Sequence, residues 1–248
     1  VKAARLGGPL DLASPIRLNG VLKRWNPDIT LAWMSRAAAL ARPGPWVNIG
    51  RLGGYYPLKY YKKCDYLVCN TPDIVAYCVE RGWAHDRITY IPNFSPHVKS
   101  APADRSILNT PNDAPVVLVL ARLEETKGID TALRALLQVP GAYLWIAGEG
   151  SQLSSLQQLT AELGLQGRVR FLGWRSDREA LLEAADVCLV PSRHEPFGNV
   201  VVNAWQSGTP VVATSSQGPS FLIEHNRNGL LTPVDDAPQF AASIRRLI

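Results

Sequence analysis

What this sequence lacks narrows its function before any motif is read. No apolar run approaches the roughly 20 residues that a helix needs to cross a bilayer, so no bilayer-crossing helix is expected. Cysteine is sparse, at positions 64, 69, 78 and 188, and no two form a close Cys-x-x-Cys pair. That spacing argues against structural zinc and against a disulfide framework; buried, reduced thiols in a cytosolic protein are expected instead. No group of His, Asp and Cys has ligand spacing, so no metal site is expected. No Ser-His-Asp signature stands out, and no Lys-Ser/Thr completes a P-loop. The chain starts at Val1 rather than Met and shows no signal-peptide pattern, so it is expected to be a fragment or processed product lacking an upstream segment.

What is present describes an ordinary globular protein, with a hydrophobic share of 46% and a charged share of 19%. Charge is unevenly spread. Residues 1–108 hold 15 Lys and Arg against 7 Asp and Glu, a net +8; residues 109–248 hold 11 against 14, a net −3. A basic half favours acidic partners such as anionic lipid head groups or phosphorylated glycolipid over nucleic acid, for which no binding motif is seen. The densest basic piece, Lys59-Tyr60-Tyr61-Lys62-Lys63, suits either a membrane interface or a solvated helix face.

From Pro115 onward short apolar runs alternate with helical patterns. Strands are predicted at 116–120, 142–147, 169–172, 187–190, 211–213 and 229–231. Helices are predicted at 128–137, 153–163, 177–185, from Gly198 to Gly208, and at 237–248. Alternation at this pitch predicts an α/β fold with a parallel sheet covered on both faces. The first half reads the same way, with strands at 27–33, 46–49, 65–69 and 88–91 and a helix at 72–81. Two α/β lobes are therefore expected: a partial first lobe over 1–95, a linker over 96–114, and a second lobe over 115–248.

In open parallel sheets ligands bind beyond the carboxyl ends of the strands, and that rule singles out four loops of the second lobe. Arg122 and Lys127 flank a loop that opens a helix, which suits diphosphate, with Arg clamping two oxygens and Lys acting as a point charge. Gly148 and Gly150 form a turn that lets backbone approach a ligand, although the third glycine of a dinucleotide fingerprint is missing. Trp174 and Arg175 follow the third strand, placed either to border a flat base or, for the indole, to pack at the core edge. The fourth loop, Pro191-Ser-Arg-His-Glu-Pro-Phe-Gly198, puts Glu195 and Phe197 before a helix start, a carboxylate beside amides of positive dipole character. Asn199 and Asn203 share one helix face, and Asn203 is placed for a ribose hydroxyl. An anionic, hydroxyl-bearing ligand such as a sugar nucleotide fits that combination.

Taken in order, these loops resemble the donor-binding half of GT-B glycosyltransferases, specifically the retaining family 4 group that includes bacterial lipopolysaccharide-core and other cell-surface enzymes. The resemblance is carried by Arg122 to Gly128, Gly148 and Gly150, Phe171-Leu-Gly-Trp174, 191–198, Gly208-Thr-Pro-Val-Val-Ala-Thr214 and Asn228-Gly-Leu-Leu231. It spans residues 64 to 240 and extends to the run Arg87-Ile-Thr-Tyr-Ile-Pro-Asn93. It implies two Rossmann-like lobes, the first incomplete here. The implied activity is transfer of a sugar from a UDP- or GDP-type donor to a glycan or lipid-linked acceptor, with retained anomeric configuration. It implies no cofactor and no metal, with Arg122 and Lys127 stabilising the leaving diphosphate, Glu195 holding the donor sugar, and lobe closure excluding water. Gly148, Gly150, Trp174, Arg175, Phe197, Gly198, Asn199 and Asn203 would line the donor. A cytoplasmic location is implied, with peripheral contact at the inner face of the plasma membrane.

Three departures stand out. The family's Glu-x7-Glu ends in Asn203, and Phe221 stands where a Glu often follows the paired glycines. The glycine-rich loop of the first acceptor-lobe strand and the last returning helix are both missing, so truncation at both ends is expected. A non-catalytic nucleotide-sugar-binding lobe or inactive fragment is the main alternative, and a sugar-nucleotide epimerase or a phosphorylase the next.

Overall fold

The computed structural model describes residues 13–96 and 98–248, and the chain divides into two compact units between Pro92 and Asn93. Among the described residues no helix is long and apolar enough to cross a membrane.

The first unit holds a four-stranded parallel sheet, β1 (Ile29–Trp33), β2 (Val47–Leu52), β3 (Tyr66–Cys69) and β4 (Ile88–Tyr90), paired in sequence order. Among the described residues three α-helices accompany it, α1 (Ala13–Trp25), α2 (Met34–Leu40) and α3 (Pro72–Glu80). Helix α3 starts where its sequence says it should. Thr71 Oγ1 accepts a hydrogen bond from the Ile74 amide, Pro72 needs no donor in the first turn, and Asp73 complements the dipole. The core gathers Leu52, Tyr61, Leu67, Ile74, Cys69 and Cys78. Tyr61 reaches it because Gly50 leaves space: a Cβ there would lie 2.7 Å from the Tyr61 ring. The basic run 59–63 begins in a 3-10 turn, Leu58–Tyr60, and its three lysines are exposed. Tyr61 is fully buried, and Lys59 lies over the Tyr60 ring, 5.1 Å from its centroid.

The second unit is a six-stranded parallel sheet of β5 (Val116–Leu120), β6 (Tyr143–Ala147), β7 (Val169–Gly173), β8 (Val187–Val190), β9 (Val211–Thr214) and β10 (Leu230–Thr232), in the order β10-β9-β8-β5-β6-β7. Its first and fourth strands, β5 and β8, are neighbours, and the chain winds outward from them in both directions. Successive residues of one strand serve opposite cores. Val117 and Val119 pack with α4 (Ile129–Leu136), α5 (Leu153–Glu162) and α9 (Ala237–Arg245). Val116 and Leu118 pack with α6 (Arg178–Ala184) and α7 (Asn199–Gln206). A strand buried on both faces must be apolar throughout, which is why Val116–Leu120 reads as one unbroken run.

The segment expected to link two lobes is fastened to the second unit. Arg105 donates to the carbonyl of Ala184 at 2.7 Å and to Asp186 Oδ2 at 3.0 Å, and Asp186 also accepts from the Val116 amide. The buried Trp145 indole donates to Thr110 Oγ1 at 2.9 Å. A short helix not foreseen from the sequence, α8 (Gln217–Leu222), follows β9.

Candidate functional site

A pocket of about 190 Å3 opens at the carboxyl ends of β5 and β8, where the winding of the sheet reverses. Leu120, Ala121 and Arg122 form one wall and Leu189 to Ser192 the other, with Lys127, Glu195, Asn199 and Val200 completing it. Four of the residues singled out from the sequence thus meet in one cavity. Lys127 Nζ donates to Glu195 Oε2 at 2.7 Å, and the two side chains are only 16% and 18% exposed. The second carboxylate oxygen, Oε1, accepts from the Gly198 amide at 3.2 Å, at the left-handed residue (φ 95°) that begins α7. Glu195 therefore sits between a cation and a helix start.

The walls are backbone packed against backbone. Gly128, with φ 60°, begins α4, and a Cβ there would meet the Pro191 carbonyl oxygen at 2.1 Å. A Cβ on Gly148 would lie 1.9 Å from the carbonyl oxygen of Ala121, and one on Gly150 2.3 Å from that of Leu123. The close approach that Gly148 and Gly150 permit is thus made by the chain's own β5 loop, where the sequence suggested a ligand. Gly218 does the same for the Glu195 loop: its amide donates to the Glu195 carbonyl at 2.7 Å, and a Cβ would lie 2.2 Å from the Phe197 carbonyl oxygen.

The remaining expected residues lie outside the cavity. Phe197 is 3% exposed and does not line it. Asn203 lies half-buried one turn along α7, while Asn199 lines the pocket and accepts from the Asn93 side-chain amide at 2.8 Å. Trp174 stands 70% exposed after β7, and Arg175 is held by a two-pronged bond to Asp177, at 2.8 and 2.6 Å. That pairing keeps the Asp177 carboxyl below its ordinary range. Arg122 lines the pocket with a guanidinium that is 73% exposed and rests on Glu124. Sequence reasoning missed Ser192, whose carbonyl accepts from the buried Thr214 hydroxyl. It also missed Arg193, which joins the Glu195 loop to Glu125, Asp130 and Asp235. Nothing local marks either residue; their roles depend on partners brought in by distant segments.

A larger hollow of about 460 Å3 lies elsewhere on the unit, lined by Glu124, Glu125, Asp130 and Gln152 with Arg193. It presents carboxylates to solvent, the wrong sign for a phosphorylated ligand.

The profile of the family described as "Glycosyl transferases group 1" matches residues 100–248, the span that builds this site. The lipopolysaccharide core biosynthesis glycosyltransferase LpsE of Rhizobium meliloti (strain 1021) is 40% identical over 237 residues, covering 94% of this chain and 69% of LpsE. The chain belongs to the group 1 glycosyl transferases. LpsD of the same organism, also named a lipopolysaccharide core biosynthesis glycosyltransferase, is 40% identical over 233 residues, covering 93% of this chain and 68% of LpsD. Among solved structures, Anabaena HepE in complex with UDP-glucose superposes with a TM-score of 0.82 at 25% identity, over 96% of this chain and 74% of that one. This glycosyl transferase thus has the GT-B architecture of Rossmann-like lobes, and its cavity of Arg122, Lys127 and Glu195 lies in the segment that defines the family.

Proposed function

We propose that this chain transfers a sugar from a UDP-type nucleotide sugar to a glycan or glycolipid acceptor of the lipopolysaccharide type, retaining the anomeric configuration and using no metal ion. The observation that carries the reading is the 2.7 Å Lys127–Glu195 pair inside the pocket at the β5–β8 divide. Sugar transfer breaks the bond between the anomeric carbon and a diphosphate oxygen, leaving negative charge on the phosphate and positive charge on the ring. Arg122 and Lys127 supply fixed cations for the first, and Glu195 a fixed carboxylate for the second. Lys127 has three N–H donors and spends one on Glu195, so the others remain for phosphate oxygens. Trp174 and Arg175 border the base, and Asn199 and Asn203 face the ribose from α7. Gly148 and Gly150 hold the β5 loop down at the donor, Gly198 presents its amide, and Phe197 backs the loop. The lipopolysaccharide acceptor is supported by the names of LpsE and LpsD, and the UDP-sugar donor by the ligand of HepE.

Calorimetry with UDP- and GDP-sugars tests the donor. Arg122→Ala is expected to weaken UDP-glucose binding about tenfold, the worth of one charge-assisted bond. Retention is read from the anomeric proton coupling of the product, and metal independence from unchanged turnover after chelation. A second reading, a binding lobe without transfer, is favoured by Asn203 standing where the family resemblance puts a carboxylate. Tight UDP-sugar binding with no product from any lipopolysaccharide-derived acceptor would establish it.

A further inference from the structure

We propose that Arg193 is a positioning residue that sets the separation of Lys127 and Glu195, acting from behind the pocket without touching the donor. The inference rests on the reading of that pocket as the donor site. Arg193 lies two residues before Glu195 and contributes nothing to the pocket lining. Its guanidinium instead joins three other segments. Nη1 donates to the Glu125 carbonyl at 2.7 Å, in the 3-10 turn Glu125–Lys127 that ends in Lys127. Nη1 and Nη2 grip both oxygens of Asp130, in the first turn of α4, at 2.9 and 2.7 Å. Nε lies 2.8 Å from Asp235 Oδ1, before α9, and that carboxylate also accepts from Thr131 Oγ1 at 3.2 Å. The Arg193 and His194 amides both donate to the Thr126 carbonyl, at 2.9 and 3.2 Å.

Main-chain bonds at Thr126 thus join the turn carrying the cation to the loop carrying the carboxylate, and the guanidinium adds a side-chain tie to the same turn at Glu125, two residues from Lys127. A guanidinium is required because its planar fork addresses a carbonyl and two carboxylates in fixed directions; a lysine ammonium offers charge without that geometry. Asp130 shows the same tie from the other side: burial pushes its carboxyl up, and the Arg193 bonds with the amides of Asp130 and Thr131 bring it below its ordinary value. The contact of Gly128 with Pro191 and the main-chain bonds to Thr126 do not involve the guanidinium, so removing it leaves the walls packed while loosening the Glu125–Lys127 turn that carries the cation. Displacement of about 1 Å in a transition-state contact can cost about 100-fold in rate.

The test uses the full chain with UDP-glucose, following donor cleavage by water or transfer to acceptor, UDP binding by calorimetry, and thermal melting. For Arg193→Lys, UDP affinity and KM are expected to stay within about threefold and kcat to fall about tenfold or more. Guanidinium ion added to Arg193→Ala is expected to restore part of kcat. The triple change Arg193→Ala, Asp130→Asn, Asp235→Asn, which removes the carboxylate repulsion, should recover melting temperature without recovering kcat. Unchanged kcat in folded Arg193→Lys, or kcat falling only in step with the folded fraction, overturns the proposal. Wild-type protein that neither binds UDP nor cleaves the donor would defeat the donor-site reading instead. Amide exchange then decides for Arg193. Faster exchange of the 126–128 and 193–198 amides in Arg193→Lys, with β6 unchanged, sustains the clamp; unaltered exchange removes it.

Discussion

A cation that already has a carboxylate partner receives a diphosphate by sharing its remaining donors. Lys127 is in that position, and Glu195 with it. Their roles separate experimentally. Lys127→Ala is expected to weaken both UDP and UDP-glucose, each about tenfold, since a charge-assisted bond to phosphate is lost and Glu195 is left without its counterion. On the proposed reading, in which Glu195 holds the donor sugar, Glu195→Gln should lower the preference for UDP-glucose over UDP. Calorimetry with the two ligands distinguishes these outcomes. Gly128 makes a steric prediction. With φ 60° and the Pro191 carbonyl 2.1 Å from any added Cβ, Gly128→Ala should cost more than about 1 kcal/mol and lower the melting temperature. Asp130 makes one for pH. Its folded carboxyl titrates below its ordinary range, so its stabilising share is complete above that range and lost as pH falls through the lowered folded value. Denaturant midpoints of wild type should drop more steeply than those of Asp130→Asn on acidification below about pH 4.

At the scale of elements, what the sequence made legible was whatever burial on both faces had written into it. Strands β5, β6 and β8 are apolar runs because their buried residues alternate between two cores. Leu133, fully buried on α4, belongs to the first core, and Leu133→Ala should cost about 2–5 kcal/mol in urea unfolding. The elements that went unread have no such pattern. Helix α1 contains Pro15 and Gly20 within its span, α2 spans seven residues and starts immediately after β1, and α8 has Gly218 and Pro219 in its first turn. At the site, the rule that ligands gather at carboxyl strand ends placed Arg122, Lys127, Glu195 and Asn199 in one pocket. It could not tell that Phe197 turns inward or that Gly148 and Gly150 face their own chain. Those directions are set by the β5 loop and by α8, which arrive from elsewhere in the sequence.

For the whole molecule, the division at Pro92 and Asn93 assigns residues 93–114 to the second unit, through the Arg105 bonds and the Thr110–Trp145 contact. A fragment of residues 93–248 should therefore melt cooperatively, whereas one beginning at 115 should lose much of that transition, having left the Trp145 indole without Thr110 and Asp186 and the Ala184 carbonyl without Arg105; circular dichroism against temperature reads the difference. The cysteines add a reporter. All four are buried and unbridged, three in the first unit and Cys188 inside β8 of the second, where burial pushes its thiol up to about 12. An alkylating reagent can reach a sulfur only when the surrounding unit opens. The mass increments accumulated over time thus form two clocks within one polypeptide, one for each half, readable without any introduced label.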